Sequence, residues 1–487
     1  MELHELIQQR MLKLKNLRDS GVAGYGKPFA SRVDIGQVRQ EFEAGKKVVI
    51  CGRLTAKRGH GKVIFADLRD STGRIQLYIK ADGVGPERFA LLDNIEVADF
   101  LCVAGELFMT HTSEQTVKVE KYEVLAKALR PLPEKWHGLK DVEARYRQRY
   151  LDLVSNEQVR DVFIARSRII QSLRKTLDSQ NYLEVETPMM HPIVGGAAGR
   201  PFKTHHNEYD MDLYLRIAPE LYLKRLLVGG MDKVYEINRS FRNEGVSVKH
   251  NPEFTMLEVY CAYSDFEGMM HLCEGLIVNA AQSVFGKLQF DFQGRQVDLT
   301  PPWKRVSFAG LVREKFGIEP QDSPEQMLAK LKERGAARDV DRLSRTQINK
   351  IIEDTLEADM SVNPTFVTDY YTSLCPLAKT KPSDPMLSER FELFIAGMEV
   401  GNAYSELNDP QEQRQRFEEE VKDPGETGSK VVDEDYVLAL EHGMPNAGGL
   451  GIGIDRLVML LTGQPSIREV ILFPLLRAGQ REEAREE

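Results

Sequence analysis

The sequence predicts an α+β protein, with a small five-stranded β-barrel near the start of the chain and a larger mixed domain of strands and helices after it. Three observations predict it. Apolar residues recur with a period of two from Lys47 to about Ala128, the string Arg130-Pro131-Leu132-Pro133 breaks that run, and the charge balance changes sign between the two parts. Residues 1–150 carry 26 Lys and Arg against 20 Asp and Glu, a balance of +6, and the remainder carries 39 against 54, a balance of −15. A basic front on an acidic body points to a polyanion held at one end and different chemistry at the other. The 487 residues leave room for two or three domains, and 42% hydrophobic with 29% charged residues is a globular composition. The longest apolar runs, such as Leu457–Leu461, are too short to span a bilayer, and Met1-Glu2-Leu3-His4-Glu5 lacks the order of a secretory signal, so no membrane partner is expected. Five scattered cysteines (Cys51, Cys102, Cys261, Cys273, Cys375) without metal spacing read as reduced, buried thiols of a cytoplasmic protein.

Taken in order, residues 1–46 are expected to be an N-terminal helical segment. Leu3, Leu6, Leu14 and Leu17 lie among Arg10, Lys13, Lys15 and Arg18, and glycines at 21, 24 and 26 end the helix. Two readings stay open for it, packing against a neighbour or contact with a phosphate backbone. Residues 47–130 form the barrel. Ile75, Leu77 and Ile79 alternate with Gln76, Tyr78 and Lys80, and Asp70-Ser71-Thr72-Gly73 is a hairpin turn. Short strands without intervening helices suggest an OB-fold, whose open face takes single-stranded nucleic acid. There Phe65 is placed to stack a base and Gln76 to read base edges. Residues 131–150 are read as a linker, and 151–487 as the second domain, with a charged helical insertion at about 320–360.

The chemistry concentrates in three stretches of that second domain. Neither G-x-x-x-x-G-K-[ST] nor G-x-G-x-x-G occurs, since Ile454 fills the last position of the nearest match, so a nucleotide site must be built another way. The first stretch, Phe241–Tyr260, reads as strand, loop, strand. Glu236, Asn238, Ser240 and Arg242 share one face, and Phe254, Met256, Glu258 and Tyr260 share another. Polar side chains on a sheet face cost several kcal/mol if buried without partners, so a polar ligand is expected across them. Arg242 suits a phosphate or carboxylate, Phe254 a base, and Glu258 an ammonium. The second stretch is Gly448–Arg456. Leu450, Ile452 and Ile454 point one way, and the glycines leave the other face bare as a shelf for a planar ligand. Arg456 then opens a helix, where the dipole also favours phosphate. In the third stretch a two-residue turn at Ala396-Gly397 pairs Phe394 with Glu399 and Glu392 with Gly401. Glu392 and Glu399 then lie diagonally about 7–8 Å apart on one face, a pair that suits Mg²⁺ beside a phosphate. Strict alternation puts Asn402, Tyr404 and Glu406 on the opposite face from Glu399, so a single pocket requires a bulge near Gly401.

These strings resemble those of the class II lysyl-tRNA synthetases. The helix Arg166–Asn181 with Leu183-Glu184-Val185-Glu186-Thr187-Pro188, the hairpin Phe241–Tyr260, and Gly448–Arg456 follow the order of the three family motifs. His250–Thr255 and Gly401–Asn408 are specific strings, and the resemblance covers nearly the whole chain. It implies an antiparallel catalytic sheet flanked by helices, a preceding anticodon-binding barrel, and a homodimer that joins L-lysine to tRNA(Lys) through lysyl-adenylate at the expense of ATP, with Mg²⁺. It also implies roles for single residues. Arg242, on the α-phosphate and the substrate carboxylate, and Arg456, on the γ-phosphate, would be the catalytic pair. Glu244, His250, Asn251 and Phe254 would hold ATP, and Glu392 and Glu399 would carry Mg²⁺. Gly196 and Glu220 would meet the α-ammonium, while Glu258, Tyr260, Asn402, Tyr404 and Glu406 would complete the lysine pocket. Phe65, Gln76 and Glu114 would contact the anticodon. Glu220, Glu258 and Glu406 supply the negative charge for two ammonium groups and repel an aspartate side chain. Two departures from the family pattern stand out: Val194 where a proline is usual, and the string Asp369–Pro376. Three alternatives remain: specificity for aspartate or asparagine, a paralogue that modifies a protein lysine, and an inactive nucleic-acid-binding regulator.

Overall fold

The structure is a computed structural model and describes residues 3–132, 139–197, 199–336, 343, 345–422 and 431–477. It resolves into two compact units, Met1–Asp141 with Tyr150–Ser155, and Val142–Arg149 with Asn156–Glu487.

In the first unit five strands close into a barrel: β1 (Lys47–His60), β2 (Val63–Arg69), β3 (Arg74–Lys80), β4 (Phe100–Met109) and β5 (Gln115–Ala126). Their order is β1-β2-β3-β5-β4, with β3 and β5 the parallel pair. Period two accounts for the closure, because Ile75, Leu77 and Ile79 all enter a core shared with Ile50, Leu68, Val103 and Val117. The turn before β3 is tied by Asp70, whose Oδ1 accepts from the backbone N–H of Thr72 (2.7 Å) and Gly73 (2.9 Å). The N-terminal helix spans Leu3–Asp19, ending just before Gly21, and a second helix occupies Ile35–Gln40. Packing explains much of its basic character. Arg10 is buried and donates to the carbonyls of Val97 and Ala128, Lys13 pairs with Glu96 at 2.8 Å, and only Lys15 and Arg18 of the four cations stand exposed.

The second unit is built on an eight-stranded sheet. Its strands are β6 (Leu183–Glu184), β7 (Lys233–Phe241), β8 (Glu253–Ala262), β9 (Lys304–Ser307), β10 (Thr365–Thr368), β11 (Arg390–Ile395), β12 (Met398–Ser405) and β13 (Ala447–Gly453), in the order β9-β10-β11-β12-β13-β8-β7-β6. The six central strands are antiparallel, and each edge strand joins in parallel, so the sheet is mixed at its margins only. One face packs on the helices Glu157–Ser179, Phe266–Phe285 and Ile454–Thr462. Leu450, Ile452 and Ile454 lie in that core with Leu173, Leu276 and Leu457. Helices Pro324–Glu333 and Arg345–Ala358 fill the segment 320–360, the first opened by a reciprocal Ser323–Gln326 cap. The segment read as a linker contains helix Val142–Arg147, and Arg149 at its end is buried, donating to the carbonyls of Arg468, Ile471 and Leu472. All five cysteines are buried and unbridged. Among the described residues, no helix is long and apolar enough to cross a membrane.

Candidate active site

Two connected hollows lie on the face of the sheet away from the helical core. One, of about 440 Å³, is lined by Gly196, Glu220, Arg242, Met256, Glu258, Tyr260, Glu392, Glu399, Asn402, Tyr404, Gly449 and Gly451, and a wider cleft of about 1840 Å³ shares Arg242, Glu392 and Glu399 with it. The smaller, of about 200 Å³, is lined by Arg242, Glu244, His250, Asn251, Phe254, Glu399, Gly453 and Arg456. Arg242 and Glu399 belong to both walls, so the residues expected at a phosphate stand where the hollows meet.

The floor follows from the glycine shelf. A side chain at Gly449 would run into the Glu406 carboxylate and come within 2.7 Å of the Tyr260 ring, and one at Gly451 would meet Met256 at 3.2 Å. Only bare backbone leaves room there, as the alternation of glycine with Leu450 and Ile452 predicts.

Register decides how β11 and β12 contribute. Phe394 pairs with Glu399 as expected, across a turn in which Ala396 and Gly397 both take positive φ (53° and 72°). Glu392, however, pairs with Asn402 and not with Gly401. The correction comes from Val400, an extra residue between the Phe394–Glu399 and Leu393–Gly401 pairs. That one-residue bulge turns Asn402 and Tyr404 onto the face of Glu399, and it is the bulge the single pocket required.

The hairpin β7–β8 divides in two. Glu236 pairs opposite Glu258, Asn238 opposite Met256 and Ser240 opposite Phe254. The first member of each pair is buried and satisfied by protein: Glu236 by Arg216 (2.8 Å) and the Thr187 hydroxyl (2.7 Å), Asn238 by the Ser240 hydroxyl (2.9 Å). A ligand lying across all of this face, as the polarity pattern suggested, is therefore not what these three side chains need. The other half stays open. Arg242 lies over the Phe254 ring at 5.2 Å, and its buried Nε has no acceptor. Asn251 Oδ1 is likewise buried without a donor, although its Nδ2 donates to the Glu253 carbonyl at 2.6 Å.

In the smaller hollow Arg456 sits at the first turn of helix Ile454–Thr462. It donates to the Glu399 carbonyl (2.7 Å) and carboxylate (3.1 Å), with its other nitrogen 3.1 Å from His250 Nε2. Burial and the nearby Arg456 charge push the His250 imidazole below its ordinary range, leaving it neutral. Glu244 is exposed at the rim.

Glu392 accepts from the Tyr370 hydroxyl at 2.7 Å and pairs with Arg390. Burial, countered by Arg390 and aided by Glu399, pushes its carboxyl up, and burial with Glu392 pushes the neighbouring Glu353 up to about 8. Glu392 and Glu399, each paired with one arginine and both lining the hollow beside Arg242, form a donor set that fits Mg²⁺ completed by substrate oxygens. Among the described residues, no group of three or more His, Cys, Asp or Glu side chains is poised to hold a metal by itself.

The end of the larger hollow that holds Glu220 and Glu258 is carboxylate-rich and buried. Glu258 accepts from the Tyr260 hydroxyl at 3.2 Å, and burial and Glu220 push its carboxyl up to about 8. Glu220 accepts from the Tyr404 hydroxyl at 2.7 Å, and Gly196, at φ 88°, closes on it so tightly that a Cβ would lie 3.2 Å from Glu220 Cβ. Glu406 is fully buried behind Gly449, and its Oε1 has no donor.

Sequence reasoning missed four supporting residues. Lys224 pairs with both Glu220 and Glu406. Arg390 and Tyr370 set Glu392. Arg166 pairs with buried Asp455 at 2.6 Å, while Asp455 accepts the Thr255 backbone N–H at 2.7 Å. The Glu220–Lys224 spacing of four was visible, but nothing local tells a buried pair from a solvated one.

On the barrel, Phe65 and Tyr78 oppose each other on β2 and β3 with ring centroids 5.3 Å apart, and Phe108 extends the row at 5.7 Å. Gln76 accepts from the Thr116 hydroxyl at 3.0 Å. Glu114 approaches Arg74, at 3.9 Å, on the same outward face. The three expected anticodon positions are thus neighbours.

A family model described as tRNA synthetases class II (D, K and N) matches residues 141–477, and one described as an OB-fold nucleic acid binding domain matches residues 48–125. The chain belongs to the class II tRNA synthetases. Curated relatives named lysine–tRNA ligase are similar along their whole length. That of Carboxydothermus hydrogenoformans is 52% identical, covering 98% of this chain and 99% of its own. Those of Pelotomaculum thermopropionicum and Syntrophomonas wolfei are each 50% identical, covering 98% and 99% of this chain and 96% and 99% of their own. From the string Asp369–Pro376, Leu374, Cys375 and Pro376 form part of the cavity wall.

Proposed function

We propose that this chain is a lysine–tRNA ligase, which activates L-lysine with ATP to lysyl-adenylate and esterifies the 3′ end of tRNA(Lys). The observation that carries the lysine assignment is a buried carboxylate trio: Glu220 and Glu258 line a 440 Å³ hollow, and Glu406 lies behind its Gly449 floor with Oε1 lacking a donor. Buried carboxylates short of positive charge favour a substrate bearing two ammonium groups and disfavour aspartate or asparagine. Full-length relatives of that name support the same reading.

In the first half-reaction the lysine carboxylate is itself the nucleophile, so no general base is required. One of its oxygens bonds to the α-phosphorus as the bond to the bridging oxygen breaks and pyrophosphate leaves with that electron pair. Arg242, between the two hollows, neutralises both the attacking carboxylate and the α-phosphate and stabilises the charge that builds on the phosphoryl oxygens. Phe254 stacks the adenine, Asn251, His250 and Glu244 complete its site, and Arg456 holds the γ-phosphate. Glu392 and Glu399 would hold Mg²⁺, which supplies charge neutralisation of the phosphates when bound. Gly196 and Glu220 take the α-ammonium, with Glu258, Tyr260, Asn402, Tyr404 and Glu406 around the side chain. On the barrel Phe65, Gln76 and Glu114 meet the anticodon. The active form is a cytoplasmic homodimer.

Amino-acid-dependent ATP–pyrophosphate exchange with lysine, aspartate and asparagine, with Mg²⁺ and without tRNA, tests this reading. Exchange with lysine alone is expected. Exchange with aspartate or asparagine, or none at all, would sink it.

A further inference from the structure

Lys224 is wholly buried one turn after Glu220 on helix Glu220–Val228. Its ammonium pairs with Glu220 Oε1 at 2.6 Å and also with Glu406, and lies 5.5 Å from the centre of the Tyr404 ring. It is a cation inside the pocket read above as a receptor for cations. We propose that Lys224 is a positioning and specificity-determining residue, an internal ammonium that aims Glu220 and Glu406 and balances part of their charge so that the pocket accepts a dicationic amino acid. The proposal rests on the lysine reading and deepens it.

Charge counting leads there. Arg216 is spent on Glu236, and Arg225 on Asp433 and Asp435. What remains is three carboxylates, Glu220, Glu258 and Glu406, with Lys224 as their cation. The balance of two negative charges equals the two ammonium groups of lysine, while Arg242 answers its carboxylate. Contacts give the same division. Lys224 and the Tyr404 hydroxyl each take one oxygen of Glu220, and Lys224 takes Oε2 of Glu406. Glu406 Oε1 is left facing the bare backbone of Gly449 without a donor.

The groups facing this centre are Glu220 on its own helix, Tyr404 and Glu406 from β12 and its end, Glu258 and Tyr260 from β8, and Tyr436 from helix Glu434–Glu441. Burial alone would strip the proton from Lys224, but Glu220 and Glu406 hold the ammonium above the ordinary lysine range. Burial drives Glu406 the other way, toward protonation, and Lys224 opposes it. Without that ammonium nothing in the pocket would oppose the effect of burial on Glu406, which would hold its proton to higher pH and lose its attraction for the substrate until the pH is raised.

The test compares the wild-type chain, Lys224→Met, Glu406→Gln and the double variant in lysine-dependent ATP–pyrophosphate exchange, between about pH 6 and about pH 9. Lys224→Met is expected to raise the KM for lysine about 30-fold or more at neutral pH and to leave the KM for ATP within about threefold. It should regain lysine affinity about one pH unit above the wild type. The double variant, which loses both members of the pair and so avoids an orphaned buried carboxylate at 406, covers the case in which Lys224→Met does not fold. Its loss for lysine should fall clearly short of the product of the two single losses, because Lys224 acts in part through that carboxylate. An unchanged lysine KM and pH profile in Lys224→Met, an equal loss for lysine and ATP that high pH does not recover, or additive losses in the double variant would each overturn the proposal. A wild-type chain without lysine-dependent exchange removes the parent reading and this one with it. A wild type that exchanges while the variants fail to split removes this one alone.

Discussion

The outward face of the barrel and the hollow on the catalytic sheet both gather polar and aromatic side chains, yet they are built on opposite terms. Phe65, Tyr78, Gln76 and Arg74 are half-buried or exposed, sit on two adjacent strands, and are braced by contacts in water such as the 3.9 Å approach of Arg74 to Glu114. Glu220, Glu258, Glu392 and Glu406 are buried, come from separate elements, and are held by ions that have also left water: Lys224, Arg390 and, nearby, Arg216 with Glu236. A contact on the first face is worth little by itself and can be lost singly. A contact in the second is coupled to its neighbours, since removing one partner strands a charge in low dielectric. The barrel face suits a long polyanion bound through many weak contacts, and the hollow suits a small molecule bound through few strong ones.

Several changes would break or sharpen that contrast. Arg216→Met should cost about 3–5 kcal/mol in denaturant unfolding of the second unit, because buried Glu236 loses its cation. A cost below about 1 kcal/mol would mean that the closed half of the β7–β8 face is not held by ion pairing. Arg242→Ala should lower kcat/KM for ATP–pyrophosphate exchange about 10³-fold without a comparable loss of stability, since its Nε is held in reserve without an acceptor. A loss below tenfold would remove it from the reacting phosphate. The pH dependence is smaller. Glu258, pushed up to about 8, is protonated in the empty pocket at neutral pH and offers an ammonium a neutral acid. Lysine affinity measured by calorimetry should therefore weaken as pH falls below about 8, by up to about tenfold per unit, with proton release on binding. Glu258→Gln should flatten that dependence, and an unchanged slope would assign the proton elsewhere. The smallest effect belongs to the barrel. Phe65→Ala should weaken tRNA binding by about 1 kcal/mol, the low end for a stacked base, because Tyr78 and Phe108 keep the aromatic row. Exchange without tRNA should not change, and a fall there would show that the two regions are not separable.

The same contrast explains what was legible beforehand. Strand period, the Asp70–Gly73 turn, the Ala396-Gly397 turn and the glycine alternation at 449–453 are local, and each was readable because a strand puts successive side chains on opposite faces. The Glu392 register was misplaced by one residue, because Val400 bulges and a bulge has no signature of its own in the string. The Glu236–Asn238–Ser240 half of the hairpin face was assigned to a ligand, because polarity does not announce its partner. Arg216 and Thr187, distant in sequence, had taken the place of the ligand.

By itself, then, the sequence pointed to the strings that gather at the candidate site, those of Arg242, Glu392, Glu399 and Arg456, the glycine shelf and the acidic trio, and to the barrel that precedes them, since all of these lie in strings with a short-range period or a specific spelling. Only the tertiary structure decided which of those charges are open and which are already answered. Arg166 holding Asp455, Arg390 and Tyr370 holding Glu392, and Lys224 between Glu220 and Glu406 are pairings made in low dielectric by chain segments up to hundreds of residues apart. There a partner a few ångströms away outweighs anything the neighbouring residues specify.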